Sequence, residues 1–162
     1  MRKDNNSILI RRWLWRYHDA KHDVIRLEYE YKEMVEIQES AGAISYDGMP
    51  GGSGEPSDLS ALILARDEAI SRLLRAKNKQ ARIFSEISKA VSKLDYAIER
   101  DIISMRYLTF LDGFQKVDWT HIASSTGFSD AHVKRVHGIA IQKLINIVGT
   151  KELRKLILND TK

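Results

Sequence analysis

DWTHIASSTGFSDAHV, residues 118–133, combines two helix-start signals with a glycine between them. Asp118 and Ser129 each precede a segment with helical spacing of apolar residues. A short side-chain oxygen at that place can accept a hydrogen bond from a free backbone amide of the first helical turn. Gly127 lies where the first helix would end in a left-handed conformation, which glycine adopts without strain. The stretch therefore predicts a helix-turn-helix: a short helix, a tight turn and a longer helix.

The apolar spacing predicts which side chains hold these two helices together. Ile122 of the first helix and Val133 of the second would meet, and small Ala123 would let the second helix cross closely. The buried face of the second helix would continue through Val136, Ala140 and Leu144. In DNA-binding helix-turn-helix proteins, the first turns of the second helix enter the major groove. The outward residues there are the predicted DNA-binding residues: Ser129, Asp130, Ala131, His132, Lys134, Arg135 and Gly138.

These residue types suit contacts with DNA, each by a different chemistry. Lys134 and Arg135 can bind guanine edges or phosphates, and Ala131 can touch a thymine methyl group. Ser129 and the amides that follow it would hold a phosphate. Asp130 is unfavourable near phosphate but can accept a hydrogen bond from a cytosine amino group. The competing interpretation is a small helical core that has this spacing without binding DNA.

The segments on either side of the motif also carry cap signals. Asp95 is expected to cap a helix over residues 96–110, with Ile98, Ile102, Met105 and Leu108 facing inward. Residues 111–117 contain a turn. Thr150 is expected to cap a last helix over 151–158. Together with the helix-turn-helix, these elements predict a helical domain over residues 95–162.

The first part of the chain predicts two long helices. On the first, apolar residues recur in alternating steps of four and three at Trp13, Tyr17, Ala20, Val24, Leu27, Tyr31 and Met34. The second seam is predicted at Leu59, Ile63, Arg66, Ile70, Leu73, Lys77, Gln80, Phe84, Ile87, Val91 and Leu94, with Ser57 or Asp58 as N-cap. Both prolines fall in the connecting loop, residues 42–57. The prediction is an all-α protein whose residues 1–94 form an antiparallel helical hairpin.

Charge alternates along the hairpin. Residues 1–26 carry a net +4, residues 27–58 carry −7 and residues 59–94 carry +5. Folding the hairpin would bring the two basic blocks together at its open end and leave the acidic block toward the loop. A polyanion such as DNA would be attracted to the open end, where Arg11, Arg12 and Arg16 could contact its backbone.

Other classes of function find little support in the sequence. The absence of cysteine excludes disulfides, zinc–thiolate sites and thiol catalysis. His18 and His22 have a helical metal-binding spacing but lack an evident third ligand, so no metal or other cofactor is expected. No nucleophile–base pair or carboxylate dyad stands out, and the protein is not predicted to be an enzyme. No membrane-spanning run and no signal peptide is evident, so a cytoplasmic location is expected.

Two motifs of the chain resemble a known family. The first is YDGMPGGSG at residues 46–54, and the second is the C-terminal pattern RY…W…IA…GFS…V.RVHGIAIQKL. The second resembles region 4 of the bacterial sigma-70 factors, which binds the −35 promoter element. Together the motifs resemble a family of sigma-region-4-like phage and prophage regulators, related to phage late-transcription activators. The resemblance covers residues 44–145.

The resemblance implies a sigma-region-4-like domain after the hairpin and a transcriptional regulator of phage or prophage genes, associated with the nucleoid of a bacterial host. Double-stranded DNA is the implied partner, bacterial RNA polymerase is a second candidate, and an uncovered seam would also allow a homodimer. Asp130 and Ala131 depart from the basic and acidic residues usual in sigma region 4, and no counterpart of sigma region 2 is present. Two alternatives remain open: a small-terminase-type DNA-packaging protein, and an adaptor that binds RNA polymerase without binding DNA.

Overall fold

The computed structural model describes residues 2–44 and 56–159, and its backbone is almost entirely helical. Its helices are α1 (Arg2–Ile44), α2 (Pro56–Val91), α3 (Ala97–Tyr107), α4 (Trp119–Thr126), α5 (Asp130–Val148) and α6 (Thr150–Asn159). Between α3 and α4, the short strands β1 (Phe110–Leu111) and β2 (Gln115–Lys116) pair antiparallel across a 3-10 turn, Asp112–Phe114. The predicted all-α class is confirmed.

The chain forms two compact units. Unit 1 consists of Met1–Asp19 and Arg82–Lys162, and unit 2 is Ala20–Ala81. The sequence prediction divided the chain at residues 94 and 95. The compact units instead group the first part of α1 and the last part of α2 with the C-terminal helices. The residues predicted to bind DNA all belong to unit 1.

Unit 2 is an antiparallel pair of helical segments. Glu28 pairs with Lys77 at 2.7 Å, and the Arg66 guanidinium donates to the Gln38 side chain at 3.3 Å. A later residue of α1 thus meets an earlier residue of α2, as an antiparallel arrangement requires. The predicted seam of α1 is confirmed in this unit, since Ala20, Val24 and Leu27 are buried and Tyr31 and Met34 are half-buried. In unit 1, Trp13 of the same seam is buried and Tyr17 is half-buried.

The predicted seam of α2 is confirmed at the buried residues Ile87, Val91 and Leu94, and it is wrong at Ile63, Lys77 and Phe84. Ile63 and Phe84 are exposed, whereas Ala69 and Ile83 are buried. Lys77, which was expected in the seam, is exposed and pairs with Glu28 instead. The observed seam keeps steps of four and three and runs through Leu62, Arg66, Ala69, Leu73, Ala76, Gln80, Ile83, Ile87, Ala90 and Leu94. Alanine at several of these positions leaves little side-chain volume between the helices, which favours a close helix–helix contact.

Helix α2 begins earlier than expected. It starts at Pro56, so Ser57 and Asp58 lie in its first turn and neither is the N-cap. Proline suits the first helical position because its missing amide would have no helical partner there. Residues 42–44 and 56–57 of the predicted loop are helical. Residues 45–55, which contain the YDGMPGGSG motif, lie outside the described part of the chain.

The predicted cap of α3 is also wrong. The N-cap is Tyr96, and it makes no side-chain cap hydrogen bond. The Asp95 carboxylate accepts instead from the Lys143 ammonium at 2.9 Å, which lowers the pKa of Asp95. Lys143 also donates to buried Glu99 at 2.8 Å, so α3 and α5 are linked through one ammonium group. Thr150 was expected to be the N-cap of the last helix, but it is the first residue of α6.

The core behind the candidate site draws one or more residues from each neighbouring element. Its fully or almost fully buried members are Ile102, Val117, Ile122, Val133 and Val136, from α3, the segment before α4, α4 and α5. Burial of each such side chain stabilises the fold by about 1.5–3 kcal/mol. These contacts fix α4 and α5 on α3, and thereby set which face of α5 points outward.

Candidate nucleic-acid interface

The turn between α4 and α5 has the geometry that the sequence predicts. The Asp118 carboxylate accepts from the His121 amide at 2.7 Å and caps α4. Gly127 ends α4 with φ +72°, in the left-handed region. The Ser129 hydroxyl accepts from the His132 amide at 3.3 Å and caps α5. Each local signal of residues 118–133 is therefore confirmed at the level of the backbone.

The two helices are held by the predicted apolar contacts. Ile122 and Val133 are completely buried in the same cluster, and Ala123 packs against it. The Thr126 hydroxyl donates to the Ile122 carbonyl at 2.8 Å, which satisfies a backbone acceptor at the end of α4. The position of the first turns of α5 is thus fixed by the cap and by the packing of α4 against α5.

The seven predicted DNA-binding residues lie at the N-cap and in the N-terminal half of α5. Four are exposed: Ser129, Ala131, Lys134 and Arg135. The other three, Asp130, His132 and Gly138, are half-buried. At about 100° per residue, Ala131 and Arg135 lie opposite the buried face, while Asp130 and Lys134 lie on one flank. Apart from its chain neighbours and the backbone of its own helix, a Cβ added at Gly138 would meet no described atom within 4 Å.

Asp130 is engaged by its own helix. One of its carboxylate oxygens accepts from the Lys134 ammonium at 2.6 Å, and the other is buried without a hydrogen-bond partner. The pair is spaced i, i+4, and the carboxylate lies in the first turn, where the helix dipole favours negative charge. Acceptance from a cytosine amino group would therefore require Lys134 to release Asp130. In this structure, Asp130 positions Lys134.

Arg135 is oriented by a histidine on the opposite flank. An Arg135 guanidinium nitrogen lies 3.2 Å from Nδ1 of His132, and the His132 ring stacks on Phe128 at 4.7 Å between centroids. Arginine has only donors, so Nδ1 of His132 acts as the acceptor and the neutral ring carries its proton on Nε2. The Arg135 residue itself is exposed.

A buried polar pair behind α5 has no counterpart in the sequence prediction. The hydroxyl of Tyr107 lies 3.0 Å from Nε2 of His137, and both side chains are buried. Burial lowers the pKa of His137 to about 4, assisted by the positive charges of Arg11 and Arg106. Burial also raises the pKa of Tyr107 to about 12. At neutral pH, His137 is therefore uncharged and accepts from the Tyr107 hydroxyl. The sequence could have indicated that His137 is buried, because it lies four residues after Val133 on the apolar face of α5.

Aromatic rings and cations lie beside this pair. The guanidinium of Arg106 lies 4.7 Å from the Trp119 ring centre and 5.4 Å from that of Trp15, and it donates to the Val117 carbonyl. The ammonium of Lys116 lies 4.1 Å from the Trp15 ring centre. Of the three N-terminal arginines predicted to contact DNA, Arg11 and Arg12 are exposed, and Arg16 pairs with Glu86 at 3.4 Å.

The described residues give no candidate metal site. No group of three or more potential ligands among histidine, aspartate and glutamate comes together in this part of the chain. His18 is buried, with the Trp15 ring at 4.7 Å and the Phe110 ring at 4.2 Å between centroids. The structure thus places His18 in an aromatic core.

No family model, curated protein or solved structure gives a match to this chain. The resemblance to sigma region 4 stays a prediction from the motifs alone. In residues 2–44 and 56–159, none of the helices combines the length and apolar composition needed to cross a membrane.

Proposed function

We propose that this protein is a sequence-specific double-stranded DNA-binding protein that regulates transcription. The observation that carries the proposal is the outer side of the first turns of α5. There, Lys134 and Arg135 are exposed on a helix that is capped by Ser129 and fixed from behind by the core. A helix presented in this way fits the major groove of B-DNA, which is about 12 Å wide.

Arg135 is assigned the base contact. It lies opposite the buried face of α5, and His132 holds one side of its guanidinium group. A guanidinium oriented in advance loses less conformational entropy when it donates two parallel hydrogen bonds to O6 and N7 of guanine. Ala131, exposed on the same side, would contact a neighbouring thymine methyl group.

Lys134 and the start of α5 are assigned to the DNA backbone. Lys134 would leave Asp130 and bind a phosphate. A second phosphate contact is favoured at the start of α5 by the free amides after Ser129 and the positive end of the helix dipole. The role in transcription is supported by the resemblance of residues 44–145 to the sigma-region-4-like phage regulators.

The test is fluorescence anisotropy with random duplexes and a pool of duplexes from bacterial and phage promoter regions, across a salt series. We expect affinity that falls steeply with salt and a preferred subset of promoter duplexes. Arg135→Ala should reduce the preference for that subset by about 1–3 kcal/mol, because one bidentate base contact is lost. Lys151→Ala, which removes an exposed cation from α6, is the matched control.

Binding that persists in Arg135→Ala with the same sequence preference would refute the assignment of Arg135. Absence of salt-dependent binding by the wild-type chain at low salt would refute the proposed function. Circular dichroism of each variant checks that the helical fold is retained, since Arg135 and Lys151 are both exposed and neither is needed for the core.

A further inference from the structure

A second group of cations lies on unit 1 outside α5. We call it the indole patch and define it as Arg11, Trp15, Arg106, Lys116 and Trp119. These residues come from α1, α3, β2 and the first position of α4. Cation–π contacts join Trp15, Arg106, Lys116 and Trp119, and Arg11 lies one helical turn before Trp15 on α1. The two indole rings hold Arg106 and Lys116 at centroid distances between 4.1 and 5.4 Å.

The cations of the indole patch differ in how they are engaged. Arg106 donates to the Val117 carbonyl and lies near both indole rings, which is a structural role. Lys116 and Arg11 are exposed, and among the described residues neither has a carboxylate within salt-bridge distance. Lys134 and Lys143, in contrast, each have a carboxylate at 2.9 Å or less. Lys116 and Arg11 are therefore free to bind an external anion.

The indole patch reaches α5 next to the proposed DNA-binding residues. The Trp119 ring packs edge-on against His137 at 4.9 Å between centroids. The positive charge of Arg11 acts to lower the pKa of both His137 and Tyr107. His137 follows Lys134 by three residues, a spacing at which Cβ atoms on a helix are about 5–6 Å apart. The patch thus lies on the Asp130–Lys134 flank of α5.

We propose that Lys116 and Arg11 bind phosphates of the DNA strand that borders the groove entered by α5. The inference rests on the proposed function and adds a second contact surface to it. In helix-turn-helix proteins, the first helix of the motif crosses the DNA backbone, and Lys116 lies three residues before α4. The Trp15 ring restricts Lys116 through a cation–π contact, so less side-chain entropy is lost when the ammonium binds a phosphate.

Lys116 and Arg11 are predicted to bind DNA by charge alone, without recognising the bases. Phosphates are the same at every step of the duplex, so these two cations should add affinity equally for all sequences. Each neutralised phosphate contributes a slope of about 0.9 to the dependence of log affinity on log salt concentration. The indole patch therefore has a signature distinct from that of Arg135.

The experiment compares full-length wild type with Lys116→Gln, Arg11→Gln and the control Lys151→Gln, each on the preferred duplex and on a random duplex. For Lys116→Gln and Arg11→Gln, we expect the salt slope to decrease by about 0.9 per substitution. Affinity for both duplexes should fall by the same factor, leaving the ratio between them unchanged. Lys151→Gln should leave the slope and the ratio at their wild-type values.

The outcomes separate this inference from the proposed function. If the wild-type chain binds DNA and both variants keep its slope, the indole patch is not a phosphate site, although the proposed function stands. If the ratio between the duplexes falls, these cations contact bases and the inference is wrong in that form. If the wild-type chain shows no DNA affinity, both proposals fail together. Thermal melts check that both variants fold, and each variant tests the phosphate contact of its own cation.

Discussion

Acid should destabilise this protein through the buried His137. The pKa of His137 is lowered from an ordinary value of 6.5 to about 4, chiefly because the ring is buried, with Arg11 and Arg106 adding unfavourable positive charge. The unfolded chain therefore binds a proton at higher pH than the folded chain does. The free energy of unfolding should fall as the pH is lowered from about 6.5 toward 4, and rise again as the pH is raised.

The magnitude follows from the two pKa values. A shift of about 2.5 pKa units at 1.36 kcal/mol per unit gives an upper limit of about 3.4 kcal/mol. Between pH 7 and pH 4, about 3 kcal/mol of this should be lost, because folded His137 is half protonated at the lower end. Asp95, whose pKa is lowered by Lys143 from an ordinary value of 3.8, adds acid sensitivity that lies mostly at lower pH than the effect of His137.

The assay is urea unfolding followed by circular dichroism at several pH values from 7 to 4, on wild type and His137→Gln. Glutamine keeps an acceptor for the Tyr107 hydroxyl but does not titrate. The wild type should therefore lose about 3 kcal/mol more than the variant over this range. The other histidines are common to both proteins and cancel in the difference. Parallel stability curves for the two proteins would refute the assignment of a neutral, buried His137.

Two further predictions concern the α4–α5 region. Ile122→Ala should lower the free energy of unfolding by about 2–5 kcal/mol in urea denaturation, because Ile122 is completely buried in the core cluster. The control is Ile139→Ala, since Ile139 is exposed. Equal losses of stability for the two variants would contradict the described core. Asp130→Ala should strengthen DNA binding at low salt, measured by anisotropy, because it releases Lys134 and removes a negative charge from the surface that faces phosphate. Weaker binding by Asp130→Ala would instead indicate that Asp130 itself contacts a base or that Lys134 needs it for orientation.

The parts of the fold that sequence predicts well depend on neighbouring residues. The caps Asp118 and Ser129 each bond to an amide three residues later, and Gly127 needs only its own backbone conformation. Such features are determined within one turn of chain. The outward placement of Lys134 and Arg135 follows from the helical period once α5 is anchored by Val133.

The parts that sequence fails to predict depend on residues far away in the chain. Asp95 has the right chemistry for a cap, but Lys143, 48 residues later, binds its carboxylate instead. The predicted seam of α2 runs through Ile63 and Phe84, but Leu62 and Ile83 beside them are also apolar, so the local pattern does not decide which face packs. The structure buries Ala69 and Ile83 instead. The indole patch joins four elements, and none of their separate sequences shows that they meet.

Gly138 carries a consequence for the stability of α5 itself. Glycine inside a helix is about 0.8–1 kcal/mol less favourable than alanine, because its backbone loses more freedom on folding. Within the structure, an added methyl group would meet nothing within 4 Å, so no internal contact requires glycine at this position. The chain forgoes this helix stability on the outer side of α5, one turn beyond Lys134. If residue 138 were alanine, its methyl group would obstruct only a molecule that approaches α5 from outside.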